Sequence, residues 1–317
     1  MTAPAAISLR DVSKRYGRIE ALRGVTLDVH RGEMFGLIGP DGAGKTTAIR
    51  IMCGLLHVDE GEVRIAERDP VREHRAVSER VGYLSQRFSL YGDLSIDENV
   101  AFFAEIHGLR DYGSRRERLL DMTRLGQFRA RRADRLSGGM KQKLALACTL
   151  VHQPEILVLD EPTTGVDPVS RREFWKLLSE FLAEGLTIVM ATPYLDEAER
   201  CGRVALLHDG RLLAVDEPGR LQKAFEGELY EVVGEPHQAA FDAIAAVPGV
   251  RDRQTFGERI HVRAASTNPG ALGDDIRRAL ERARVQSIGV RRIVPSLEDV
   301  FIDRVRAAGA RDVQEGS

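Results

Sequence analysis

Nine residues, Gly39-Pro40-Asp41-Gly42-Ala43-Gly44-Lys45-Thr46-Thr47, constrain this chain more than any other segment. They fit the pattern G-x-x-x-x-G-K-[ST] and lie between an apolar run, Met34 to Gly39, and a helical run, Thr47 to Leu56. A strand must therefore feed a glycine loop that opens a helix. Glycines let such a loop curl until successive backbone N–H groups converge on phosphate oxygens, and the helix N-terminus adds partial positive charge. Lys45 is placed to reach the β- and γ-phosphates, and Thr46 to ligate Mg²⁺.

The surrounding pattern agrees with that loop. Apolar strand-like runs alternate with longer helical stretches over the first two-thirds of the chain, which is the pattern of a doubly wound α/β domain. Ser8 to Val12, Gly24 to Val29, Met34 to Gly39, Ile156 to Asp160, Leu186 to Ala191 and Arg203 to Leu207 are expected as strands of one sheet. Between Gln86 and Val151 helix formers dominate, punctuated by Gly108, Gly113 and Gly126, and imply an inserted helical lobe. After about Phe225 a smaller α+β unit follows in the order β-α-β-β-α-β, which suggests a ferredoxin-like plait. Its second helix, Leu272 to Arg284, carries Ile276, Ala279, Leu280 and Ala283 on one face. The expected division is 1–225, with the helical part at about 87–150, then 226–307, with a disordered tail at 308–317. At 317 residues and 43% hydrophobic composition the chain is long enough for two cores.

A second constellation closes the strand Ile156 to Asp160. Four apolar residues deliver Asp160 and Glu161 to a strand end, where sites form in such sheets. One carboxylate, Asp160, suits a Mg²⁺ ion; the other, Glu161, suits polarising an attacking water. A third, Leu136-Ser137-Gly138-Gly139-Met140-Lys141-Gln142, is a serine and two glycines opening a helix with Met140, Leu144, Ala147, Cys148 and Val151 as its apolar stripe.

This third segment resembles the signature sequence of ABC ATPases, and three further motifs match that family in order between residue 8 and about 225. Tyr16, in Lys14-Arg15-Tyr16-Gly17, resembles the aromatic that stacks on adenine, and Gln86 the glutamine that senses Mg²⁺ and links the core to the helical lobe. Thr163-Thr164-Gly165-Val166-Asp167 resembles the loop where two subunits meet. The resemblance implies a P-loop ABC-type ATPase domain whose Ser137, Gly138 and Gly139 contact the γ-phosphate held by an opposite cassette, so that two ATP molecules are sandwiched between two chains. Catalysis is then assigned to Glu161, Gln86 and Lys45; nucleotide binding to Tyr16, Gly39 to Thr47 and Ser137 to Gly139; Mg²⁺ to Thr46, Gln86 and Asp160. Arg87 to Ser95 resembles the surface that engages a permease's cytoplasmic helix. Pro295-Ser296-Leu297-Glu298-Asp299-Val300-Phe301 resembles the C-terminal extension of the drug- and lipid-export branch, whose permeases are separate six-helix chains.

The match fails at one place. The family carries a histidine in a pattern like Thr-His-x-x-x-Glu-Ala, where it bonds the γ-phosphate and the attacking water; here the run is Thr192-Pro193-Tyr194-Leu195-Asp196-Glu197-Ala198. Proline donates no hydrogen bond and biases Thr192 toward extended geometry. Losing one preorganised donor costs roughly 3 to 4 kcal/mol, about 10² to 10³ in rate. Three readings follow: slow hydrolysis through Glu161 alone, a heterodimer whose partner supplies an intact site, or a nucleotide-gated dimer with little turnover. Two smaller departures are Asp41, for the usual asparagine, and Met140, for the usual glutamine.

Composition narrows the partners. Basic and acidic residues, 46 and 48, are interspersed, so no net field favours nucleic acid or an anionic surface. Arg129, Arg131, Arg132 and Arg135 are expected as solvated helix surface. Cys53, Cys148 and Cys201 lack metal-ligand spacing and are expected as buried thiols in a reducing compartment. No run approaches the ~18 apolar residues of a membrane span, and Met1 to Ser8 has no leader pattern, so the expected location is cytoplasmic, held at the membrane through the permease. A soluble ABC ATPase acting on ribosomes or DNA is the competing class. Such relatives carry two cassettes or a long coiled coil between the glycine loop and the signature, whereas 91 positions separate Lys45 from Leu136 here.

Overall fold

The computed structural model describes residues 5–86, 89–264 and 271–315. The chain divides into two compact units, one built on the residues through Pro218 with those from Arg304 onward, the other on Gly219–Asp303.

The first unit opens with β1 (Ala5–Tyr16), β2 (Ile19–His30), β3 (Met34–Ile38), α1 (Lys45–Met52), β4 (Glu60–Ile65), α2 (His74–Ser78) and β5 (Val81–Leu84). Helices α3 (Ile96–Ile106), α4 (Gly113–Thr123) and α5 (Gly138–Leu150) follow, then β6 (Ile156–Asp160), α6 (Pro168–Ala183), β7 (Thr187–Thr192), α7 (Leu195–Ala198), β8 (Arg203–His208) and β9 (Arg211–Asp216); α8 (Pro218–Lys223) starts at the boundary and belongs to the second unit from Gly219 on. Six strands form a central sheet in the order β5-β6-β7-β3-β8-β9, parallel except for the β8–β9 pair. Strands β6 and β7 are buried at every position, which is why they read as unbroken apolar runs.

β1 and β2, expected in the central sheet, belong instead to a separate antiparallel sheet in the order β2-β1-β4. Tyr16 pairs with Ile19 across Gly17-Arg18, so the two strands meet as a local hairpin. Alternating hydrophobicity marks a half-buried strand but does not name its partner. Side chains of β1, β2, β4 and α1 fill one core with Phe35, Leu37, Val158, Val189 and Ala205 of the central sheet. On α6, Phe174 and Phe181 are fully buried, and truncating either costs about 3–5 kcal/mol.

Residues 89–151 contain no strand among those described, as the helical-lobe reading requires. Ser95 starts α3 with a reciprocal cap to Glu98, and buried Asn99 donates to the carbonyls of Tyr91, Leu94 and Ser95. Arg129 pairs with Asp97 and Glu117, consistent with solvated lobe surface.

The second unit contains β10 (Glu228–Glu235), α9 (His237–Ala245), β11 (Val250–Phe256), β12 (Arg259–Ala264), α10 (Ala271–Arg282) and β13 (Gln286–Ile293). All pairs are antiparallel in the order β11-β12-β10-β13. Ala240 and Ile244 of α9 and Ile276 and Leu280 of α10 pack on Tyr230, Val232, Ile260, Val262 and Val290. The last helix, α11 (Leu297–Glu315), runs through residues 308–315, which were expected as an irregular tail. Ala308, Ala310, Arg311, Gln314 and Glu315 are good helix formers and favour helix despite Gly309. Residues 316–317, the end of that expected tail, lie outside the described residues.

Candidate active site

The C-terminal ends of three adjacent parallel strands, β6, β7 and β3, bring the acid pair, Thr192 and the glycine loop to one edge of the central sheet. A cavity of about 850 Å³ opens there, lined among others by Tyr16, Lys45, Thr46, Gln86, Glu161 and Tyr194.

Gly44 turns the loop into α1 at φ 100°, a left-handed angle that a side chain resists, and a Cβ there would stand 2.3 Å from the Ala21 carbonyl oxygen. No side chain caps this helix, so its N–H groups face the cavity uncommitted. Lys45 is 4% exposed. Its ammonium donates to the carbonyl oxygens of Gly39 and Pro40, at 2.9 and 3.0 Å, and stands 3.3 Å from Oε1 of Glu161. Asp41 points outward, its carboxylate 3.9 Å from Lys45.

Glu161 holds a left-handed backbone angle, φ 49°, which costs a non-glycine residue about 1–3 kcal/mol. Its N–H donates to the Ala191 carbonyl on β7, which fixes the turn. Gln86 donates through Nε2 to the second Glu161 oxygen at 3.1 Å. Strain held by hydrogen bonds on both sides aims this carboxylate into the cavity.

Asp160 lies beneath, 2% exposed, with its oxygens 3.4 Å from the Thr46 hydroxyl and 3.5 Å from that of Tyr83. Burial first, with the Glu161 charge adding to it, raises its pKa above the usual carboxylate range. A cation beside it relieves both. Thr46, Asp160 and the Gln86 amide offer oxygen donors of the kind Mg²⁺ takes, so the donor set fits that ion. Among the described residues there is no cluster of three or more His, Cys, Asp or Glu that suits a transition metal. The three cysteines are buried and free, and burial pushes each thiol up.

Ser137, Gly138 and Gly139 do not line this cavity. Ser137 caps α5 by accepting from the Met140 N–H at 3.3 Å, with Ser137 and Gly138 exposed. The helix reaches the acid pair from below: Gln142 donates to the Pro162 carbonyl at 2.5 Å. Gly39, Pro40 and Ala43 shape the loop from behind rather than lining the cavity. Arg18, Ile19, Glu20, Ala21 and Arg23 of the first hairpin, and Asp209 after β8, line it without having been singled out by type or spacing.

Comparison with known proteins follows the same lines. The ABC transporter family model matches residues 22–164. The chain is 38% identical to the probable multidrug ABC transporter ATP-binding protein YbhF of Escherichia coli over 99% of its length, and spans 54% of that protein. It is 36% identical to the daunorubicin resistance ATP-binding protein DrrA2 of Streptomyces coeruleorubidus, covering 94% of both chains. An ATP-binding subunit of an ABC transporter superposes with a TM-score of 0.63 at 30% identity, over 69% of this chain and 92% of that one. A bacterial ABC transporter cassette of dimeric structure gives 0.60 at 29%, over 67% and 98%. With a match along nearly the whole of both chains to such a relative, this protein belongs to the family of ABC transporter ATP-binding proteins.

Proposed function

We propose that this chain hydrolyses ATP, pairs with a second cassette around two nucleotides, and drives a separate membrane permease in the direction of export. The observation that carries the reading is the contact between Lys45 and Glu161 inside one cavity with Gln86 and Thr46. Triphosphate oxygens take over the donors that Lys45 now spends on Gly39, Pro40 and Glu161. Glu161, released from the lysine, orients a water in line with the terminal phosphate and accepts its proton, giving ADP and phosphate. Mg²⁺ held by Thr46, Asp160 and Gln86 would neutralise charge on the outer phosphates. Tyr16, about half exposed on the cavity rim, offers its ring to the adenine.

The outward-facing N-terminus of α5 supports a site completed by a second copy or a homologous cassette. Tyr91 and Ile106, 47% and 63% exposed, flank Phe102 and Phe103 on one side of the lobe and offer an apolar surface to a permease helix. Arg87 and Phe88, part of the same expected surface, lie outside the described residues. No described helix is long and apolar enough to cross a membrane, so attachment to the inner face of the membrane would run through the permease. The relatives named for multidrug transport and daunorubicin resistance favour export, and the cargo path belongs to the permease.

Pro193 lines the cavity and supports a second reading, a nucleotide-gated cassette with little turnover. Phosphate release by purified chain, with and without Glu161→Gln, separates the two. Hydrolysis predicts a fall of about 10² or more in the variant; equal rates defeat hydrolysis and leave the gate.

A further inference from the structure

The cavity wall away from the glycine loop is organised by one carboxylate. Glu197 is 1% exposed. Its Oε2 accepts the Thr192 hydroxyl at 2.8 Å and its Oε1 accepts the Thr163 hydroxyl at 2.5 Å, with the Arg171 guanidinium 3.6 Å from the latter oxygen. A buried carboxylate with two hydroxyl donors and an arginine is satisfied, and it fixes the groups it joins. Those groups are the loop two residues beyond Glu161, the end of β7 and the first turn of α6.

Tyr194 is held by the same groups. Its N–H donates to the Thr192 hydroxyl oxygen at 3.1 Å, and the Arg171 guanidinium lies 5.1 Å from its ring centroid. Backbone and ring are therefore both tied to partners of Glu197. The side chain is partly exposed and lines the cavity that Lys45, Thr46, Gln86 and Glu161 share. Pro193 beside it has no N–H or side-chain donor. Tyr194 therefore brings a phenol donor to the wall of the cavity that Lys45 and Glu161 share.

We propose that Tyr194 contacts the nucleotide, its phenol donating to the terminal phosphate of ATP, and that Glu197 is the positioning residue that holds it there; the proposal rests on reading the cavity as an ATP site. ADP lacks the phosphate concerned, so the signature of the contact is preference for ATP over ADP. General loosening of the fold would weaken both nucleotides alike.

Affinities for ATP and for ADP, measured by competition against a fluorescent ATP analogue, test this on the full chain. Tyr194→Phe removes one oxygen from a partly exposed ring, and is expected to weaken ATP about tenfold, one charge-assisted hydrogen bond, while leaving ADP within about twofold. Glu197→Gln is expected to lower the same ATP-over-ADP ratio, and the double variant to lose no more than Tyr194→Phe alone. If Glu197→Gln does not fold, Thr192→Val breaks the same link between Glu197 and the Tyr194 N–H and takes its place. Wild-type affinities in Tyr194→Phe, or equal losses for ATP and ADP, overturn the contact; additive losses in the double variant overturn the positioning role. A wild-type chain that binds neither nucleotide sinks the ATP-site reading, and this proposal with it.

Discussion

Two helices of the first unit begin on glycine-rich turns, and they begin differently. At α1 no side chain caps the first turn, and the lysine that follows is buried among carbonyls and a carboxylate. At α5 the chain caps itself through Ser137, and Gly138 faces solvent. An uncapped N-terminus inside a cavity is half of an anion site waiting for its ligand. A capped, outward-facing one offers its partial charge to something brought from outside. On the proposed two-cassette reading, α1 would be the phosphate grip of one site and α5 the complementary half offered to another chain.

The largest effect is expected at α1. Lys45→Ala removes the buried ammonium at the start of α1, and should weaken ATP by about 10² or more and abolish phosphate release. Isothermal titration with ATP checks it. Hydrolysis at wild-type rate in this variant would break the assignment of the grip to α1.

The α5 terminus should fail in a different way. A Cβ on Gly138 meets no atom within 4 Å, so Gly138→Asp leaves the fold alone while placing a carboxylate where an anion should dock. Phosphate release should fall by about 10² and single-chain ATP affinity should stay within about twofold. A mixture of Gly138→Asp with Lys45→Ala chains should recover part of the activity, because one intact site assembles from the wild-type halves. Loss of ATP affinity in Gly138→Asp equal to that in Lys45→Ala would erase the contrast. Gly139→Ala is the structural control: its Cβ would stand 2.3 Å from the Ser170 hydroxyl on α6, an overpacking that costs about 1–3 kcal/mol and lowers the melting temperature instead.

Much of the α1 half was legible because residue type and register are themselves the mechanism: glycines where the backbone must curl, lysine and threonine where it stops curling. The same holds for Ile156 to Glu161, since a strand buried on both faces has to be apolar throughout. Legibility ended where function depends on pairing across the chain. β4 and β5 escaped notice because Glu60–Ile65 opens on three exposed residues and holds only Val63 and Ile65 as apolar positions, and Val81–Leu84 is only four residues long. Glu197 reads in sequence as one acid in an acidic turn, and becomes the joint between β7, α6 and the loop after Glu161 only once Thr163, 34 residues away, is folded against it. Arg18, Glu20 and Asp209 carry no pattern at all and reach the cavity by topology.

The smallest expected effect lies at the other end of α5. His152, two residues past that helix, stacks on His107 with ring centroids 3.8 Å apart, and both of its ring nitrogens are buried. Burial, with the His107 charge adding to it, lowers its pKa to about 4. A folded pKa below the unfolded value of about 6.5 means that the unfolded chain takes up a proton which the folded chain refuses. Stability that is full above pH 6.5 is therefore lost as pH falls from 6.5 toward 4. No described histidine lines the cavity at α1, so the titration of His152 should loosen the lobe-side helix and leave the phosphate grip as it was. Urea midpoints followed by Trp175, the single tryptophan of the chain and part of the same unit, should fall less steeply over that window in His152→Phe than in wild type. Parallel slopes would place the acid sensitivity elsewhere. An equal flattening of the pH dependence of ATP affinity would show instead that the two helix ends are coupled, and that the division between grip and display is looser than their geometry implies.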